Sequence, residues 1–152
     1  MHVVLFQPEI PSNTGNISRT CAVTGVSLHL IEPLGFSIDD KHLKRAGLDY
    51  WDKLDLHLYH DWESFLAVNP TANLYLATTK GSIHYTQFNY KADDYLVFGR
   101  ETAGLPDEIR AAYKDHCIRI PMGKDIRSLN LANSVAIVLY EALRQQGFPN
   151  LA

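Results

Sequence analysis

The stretch YLVFGRETAGLPDEIRAAYKDHCIRIPM, residues 95–122, reads as strand, glycine loop, helix and strand in turn. Tyr95–Phe98 is apolar and β-prone, and Gly99 ends it. Leu105-Pro106-Asp107-Glu108 is a helix start, with proline at the first helical position and two acids in the first turn, where they meet the positive end of the helix dipole. Cys117–Ile120 is apolar again and stops at Pro121. Strand, helix and strand in succession are the repeating unit of a parallel sheet.

The same alternation runs outward in both directions. His2–Phe6 is a short buried strand, and Gln7–Thr14 reads as a loop holding Pro8 and Pro11. Ile17 and Cys21, four apart, share a helical face, and Gly25 is the stop. Ser27–Ile31 is a second strand, ended by Pro33. Asp39 or Asp40 caps a short helix through Ala46, stopped by Gly47. Leu54, Leu56 and Leu58 alternate with polar residues as a strand does. Asp61 caps a helix carrying Trp62, Phe65 and Leu66, and Leu74–Thr78 is a further strand. In the last helix Leu131, Val135, Val138, Leu139, Ala142 and Leu143 form a wide apolar face. The run Val135–Tyr140 goes almost all round it, so burial is expected on more than one side, by the fold or by a partner subunit. The pattern predicts an α/β fold, a mainly parallel sheet flanked by helices, in one domain over residues 1–152.

Bulk properties bound the function. The chain has 152 residues, 46% of them apolar, a formal charge of −3 and two cysteines. A chain of this length buries roughly 70% of its unfolded surface, so it needs neither disulfide nor metal to fold. Cys21 and Cys117 each sit in an apolar segment, which predicts two buried thiols in a reducing cytoplasm. No export signal or membrane span is read from the N-terminus or the apolar runs. A pI of about 6.1 argues against coating nucleic acid by bulk positive charge. Local basic clusters remain: Lys41, Lys44 and Arg45, and Lys124 with Arg127.

The dinucleotide-binding glycine fingerprint, the P-loop, the zinc-protease helix motif and the serine elbow are all missing. The histidines are scattered, and no metal site is expected. In parallel sheets ligands bind outside the carboxyl ends of strands. Three polar, glycine-bearing segments follow strands there: Thr78-Thr79-Lys80-Gly81, Gly99–Gly104 and Pro121–Asn130. Gly99 and Gly104 serve either a turn or the close approach of backbone to a ligand. Ser128 or Asn130 caps the last helix, which is compatible with ligand binding. Ser12–Arg19 is either a cap and turn with a solvated arginine, or a place where Asn13, Asn16 and Arg19 converge on a polar substrate.

Together three segments resemble the SPOUT-class RNA 2′-O-methyltransferases, most closely the small enzymes acting on the tRNA wobble position. They are Asn13-Thr14-Gly15-Asn16-Ile17-Ser18-Arg19, then Leu96-Val97-Phe98-Gly99-Arg100-Glu101-Thr102-Ala103-Gly104-Leu105-Pro106, then Ile118–Met122 through Ser128-Leu129-Asn130 to Ala136. Gly35-Phe36, Arg45–Trp51 and Thr78–Gly81 also fit. The resemblance covers essentially the whole chain and leaves no room for a separate RNA-binding domain. It implies a C-terminal trefoil knot, a homodimer, a cytoplasmic location and S-adenosyl-L-methionine as cofactor. Cofactor binding carries over to Ala77, Thr78, Gly99, Glu101, Gly104, Ile120, Met122, Ser128 and Leu129, and catalysis to Arg19. Asn13, Asn16, Lys41, Arg45, Arg127 and Asn130 are the expected substrate contacts. The implied reaction is methylation of the ribose 2′-hydroxyl of a wobble cytidine or uridine in a tRNA anticodon stem-loop, with leucine tRNAs the expected substrates. The alternatives are the same chemistry on rRNA, or a non-catalytic RNA-binding module of the same fold.

Overall fold

The computed structural model describes residues 1–41, 43, 45 and 48–152. Among these residues seven strands form one sheet: β1 His2–Phe6, β2 Ser27–Ile31, β3 Leu56–Tyr59, β4 Leu74–Ala77, β5 Ile83–His84, β6 Tyr95–Phe98 and β7 Cys117–Arg119. Their order is β3-β2-β1-β6-β4-β7-β5 and every pairing is parallel. The helices are α1 Pro11–Thr24, α2 Trp62–Val68, α3 Asp107–Ala112 and α4 Leu131–Gln145. Lys41, Leu43 and Arg45 are helical, as expected there. Lys44, Ala46 and Gly47 lie outside the described residues.

Period-two alternation sends Val3 and Leu5 to one face of β1 and Val4 and Phe6 to the other. The first face packs with Leu28, Leu30, Leu96 and Phe98 under α1 and α4. The second packs with Ile31, Leu76 and Val97 under Trp62 and Phe65 of α2. A sheet covered on both faces needs unbroken apolar runs, and that is why β1, β2 and β6 read as they do. Cys21 and Cys117 are buried free thiols, and burial pushes Cys21 up to about 12. Among the described residues no helix is long and apolar enough to cross a membrane.

One expectation changes. α1 begins at Pro11, so the second half of the Gln7–Thr14 stretch read as loop is helical, with Asn13, Thr14 and Gly15 buried. Its N-cap, Ile10, has no capping side chain of its own, and the missing acceptor comes from elsewhere in the chain, as described below. The last helix is buried by its own chain on one face only. Val135, Val138, Leu139, Ala142 and Leu143 are covered, while Ile137 and Tyr140 are 37% and 42% exposed.

On the α2 side of the sheet, rings from the starts of β1 and β6 meet rings from the middle of β2 and from β3. His2 Nδ1 lies 3.0 Å from His29 Nε2, and His29 Nδ1 lies 2.9 Å from the Tyr59 hydroxyl. Tyr95 stacks on His2, and His57 stacks on His29. Asn69 joins the two phenols, donating to Tyr59 and accepting from Tyr95. His29 is 2% exposed, and burial holds its pKa down at about 3.

Candidate active site

The carboxyl ends of β6, β4 and β7 are adjacent in the sheet, and the three segments singled out in the sequence leave from them. They enclose a cavity of about 680 Å³. A volume of this order suits a small organic ligand.

Gly99 shapes the first wall. A Cβ there would lie 2.3 Å from the Gly104 carbonyl carbon and 2.4 Å from the Leu105 nitrogen. The loop therefore doubles back on itself, and Arg100 and Gly104 exchange backbone hydrogen bonds of 3.3 and 3.0 Å. Gly104 takes φ 65°, a left-handed conformation that glycine adopts without steric cost. The second wall is Ala77–Lys80, where the Thr78 amide continues the ladder to Ile118 O at 3.0 Å. The third is Ile120–Asn130, irregular except for a turn closed by Ile126 N donating to Gly123 O.

Polar straps hold these walls to α1. The Glu101 carboxylate accepts from Glu9 N at 2.8 Å and Ile10 N at 3.1 Å, so it caps the entry of a helix remote in sequence. Glu9 returns the contact, accepting from the Thr102 amide at 3.1 Å and hydroxyl at 2.7 Å, and these bonds hold its carboxyl below the usual range. A Cβ on Gly35 would lie 2.6 Å from Glu9 O, so only glycine lets the following loop close over this strap. Asn130 caps α4 by accepting from Asn133 N at 3.2 Å, and its amide donates to Asn13 Oδ1 at 3.0 Å. Asn13 in turn reaches Glu101 at 3.5 Å. One network thus joins the starts of α1 and α4 to the Gly99 loop.

Every residue carried over for the cofactor lines this one cavity: Ala77, Thr78, Gly99, Glu101, Gly104, Ile120, Met122, Ser128 and Leu129. Of the expected substrate contacts, Asn13, Arg127 and Asn130 also line it. Asn16, Lys41 and Arg45 are exposed and outside it, as is Arg19. The Arg19 guanidinium instead lies over the Tyr50 ring, 4.8 Å from its centroid, with Nη2 3.4 Å from the hydroxyl. Sequence reasoning passed over Asp107 and Arg110, which line the cavity together with Lys80 of the Thr78–Gly81 segment. Lys80 was legible as a cation just after a strand end. Arg110 is fixed by pairing with Asp107 and by donating to Leu105 O at 3.3 Å.

The lining is chemically mixed. Ile120, Met122 and Leu129 add apolar side chains to it, while the glycine turn and the irregular third wall bring backbone polar groups to its edge. That composition fits an adenosine bearing a charged tail.

This parallel α/β sheet with a backbone-walled cavity is the architecture of a methyl-donor-binding fold, and the chain belongs to the SpoU rRNA Methylase family, whose model matches residues 1–140. It is a methyltransferase with S-adenosylmethionine as its methyl donor. A Yersinia pestis protein named tRNA (cytidine(34)-2′-O)-methyltransferase is 52% identical over 159 residues, covering 98% of this chain and 96% of its own. A solved structure described as giving insights into the 2-OH methylation of C/U34 on tRNA superposes with a TM-score of 0.92 at 44% identity, covering 96% of this chain and 95% of its own. The SpoU methyltransferase AviRb from Streptomyces viridochromogenes, solved with AdoMet, gives 0.83 at 26% identity, covering 96% of this chain and 60% of its own.

Proposed function

We propose that this enzyme methylates the ribose 2′-hydroxyl of the wobble nucleotide, cytidine or uridine 34, in the anticodon stem-loop of leucine tRNAs. The observation that carries the reading is the gathering of all nine cofactor positions around one cavity. The names of relatives at about half identity over nearly the full length support the tRNA target.

S-adenosylmethionine supplies an electrophilic methyl group and a neutral thioether leaving group. The chain's own residues bind, align and exclude water, and alignment alone contributes several kcal/mol. Arg19 is the catalytic residue in this reading. An arginine guanidinium is a cation in proteins, so Arg19 acts by orienting a phosphate and stabilising the developing alkoxide. Exposed Lys41, Arg45 and Arg127, with Asn16, hold the RNA backbone. With so few cations the logarithmic salt slope of binding is below roughly 5 in magnitude.

Arg19 stands outside its own chain's cavity, and the homodimer reading brings it to the cavity of the partner. Ile10 at the start of α1, Leu129 just before α4, and Ile137 and Tyr140 midway along α4, all between 37% and 42% exposed, support that pairing. The C-terminal segment passes under the Gly99 loop as a trefoil knot in this reading, and one domain in the cytoplasm carries donor and RNA sites together.

The test is incubation of the protein with radiolabelled donor and bulk tRNA, then nucleoside analysis. A 2′-O-methylated nucleoside at position 34 of leucine tRNA is expected; label elsewhere overturns the assignment. The family's description favours rRNA as a second reading, and the same assay with rRNA separates the two.

A further inference from the structure

We infer that Tyr50 is a positioning residue that sets the guanidinium of Arg19 for catalysis. The inference rests on the reading of Arg19 given above.

Arginine has a long side chain with much rotamer freedom, and Arg19 is exposed on α1. A group that must meet a phosphate and a developing alkoxide at fixed geometry cannot be left to swing. Among the described residues it meets an aromatic face: the guanidinium carbon lies 4.8 Å from the Tyr50 ring centroid. The second contact is a weak one, Nη2 to the Tyr50 hydroxyl at 3.4 Å. Tyr50 is half-buried in the 3₁₀ turn Leu48–Lys53, which packs against α1.

The chemistry of that partner matters. A carboxylate would occupy the N–H fork and neutralise the charge. A ring attracts the cation through its face while most N–H donors stay free in the guanidinium plane. The contact therefore restricts orientation without consuming what an RNA phosphate or an alkoxide needs. Tyr50 touches neither substrate nor donor in this scheme; it acts through Arg19. Most of the effect belongs to the ring rather than the hydroxyl, since the hydroxyl contact is long and hydroxyl–guanidinium bonds are normally shorter.

The experiment pairs two readouts on the full-length protein. In NMR spectra, Arg19 side-chain protons are expected to carry an upfield ring-current shift that Tyr50→Phe keeps and Tyr50→Leu removes. In steady-state methyl transfer to tRNA, Tyr50→Leu is expected to lower kcat about tenfold, equivalent to about 1.4 kcal/mol, with KM for tRNA and affinity for S-adenosylhomocysteine little changed. Tyr50→Phe is expected to restore most of the rate. In an Arg19→Lys background, Tyr50→Leu is expected to add less than about twofold, because the partner it orients is gone.

An equal loss in both backgrounds, a rise in KM with kcat unchanged, or no loss from Tyr50→Leu overturns the inference. Binding of S-adenosylhomocysteine by each variant shows that the fold is intact. If Arg19→Lys keeps full activity, the catalytic reading of Arg19 fails first. A kcat loss from Tyr50→Leu in wild type would then show that Tyr50 acts by another route.

Discussion

Two regions of the same parallel sheet are built by opposite means. On the α2 face, from the starts of β1 and β6 across β2 and β3, rings fill the space: His2, His29, His57, Tyr59 and Tyr95 stack and hydrogen-bond into a solid block. At the carboxyl ends, the Gly99 turn, the Glu9–Glu101 strap and the Asn13–Asn130 bridge hold three loops apart around a cavity. Packing closes the first region. Directional polar contacts keep the second open, because a hydrogen bond fixes a distance without filling the space beside it.

The largest break in this contrast comes from Gly99→Ala. The new methyl would lie 2.3 Å from backbone that cannot rotate away, so the loop must shift. Stability is expected to fall by about 2–4 kcal/mol in urea titration, and S-adenosylhomocysteine affinity by more than about tenfold in calorimetry. Loss of stability with normal affinity would mean that the turn does not shape the cavity.

Acid sharpens the contrast from the other end. His29 is neutral when folded, with a pKa held at about 3 by burial, next to His2 and His57 and faced by Asp55. Its ordinary value is 6.5, so the unfolded chain takes up a proton below that pH while the folded chain does not. The group leaves stability unaffected above 6.5 and lowers it as pH falls, with a slope approaching about 1.4 kcal/mol per pH unit. Burial of His2 acts in the same direction. The carboxylates of Glu9, Asp55, Asp61 and Glu141, all held below their ordinary values, add losses of the same sign only at lower pH, below about 4.5. Urea midpoints from pH 7 to 5 therefore leave out the carboxylates and report the histidines together with the Met1 amine, which burial also lowers from 8.0. His29→Phe is expected to flatten that limb, and an unchanged slope would remove His29 from the account.

The smallest effect is expected from Asn130→Ala, which removes the α4 cap and the bridge to Asn13 together. About 1–2 kcal/mol should be lost, and Asn130→Ser should recover roughly half by restoring the cap alone. Full recovery by serine would show that the bridge contributes nothing.

Local rules made much of the fold legible. Asp61 caps α2 by accepting from Ser64 N at 2.8 Å, and Gly25 ends α1 at φ 69°, both as the sequence suggests. Residues 95–119 form strand, loop, helix and strand as read, although Pro106 is the N-cap of α3 and its first turn starts one residue later. The start of α1 was not legible, because its acceptor, Glu101, lies 91 residues from Ile10. The place of β6 between β1 and β4 was hidden for the same reason: strand order is set by which apolar edges meet, and no local signal encodes it. The two-residue β5 is too short to show a period. At the site, spacing alone pointed to three strand-end segments. The individual cofactor positions came from resemblance, and the cation Arg110 became visible only once the loops were assembled in space.

The Glu9–Glu101 strap makes the start of α1 and the mouth of the cavity mechanically one piece. Whatever tightens the Gly99 loop is transmitted to the amides of Glu9 and Ile10, and those two positions become the natural place to watch occupancy by hydrogen–deuterium exchange. Arg19 rides on the same helix, so under its proposed catalytic role filling one pocket and readying the arginine would be linked through a single pair of crossed carboxylates.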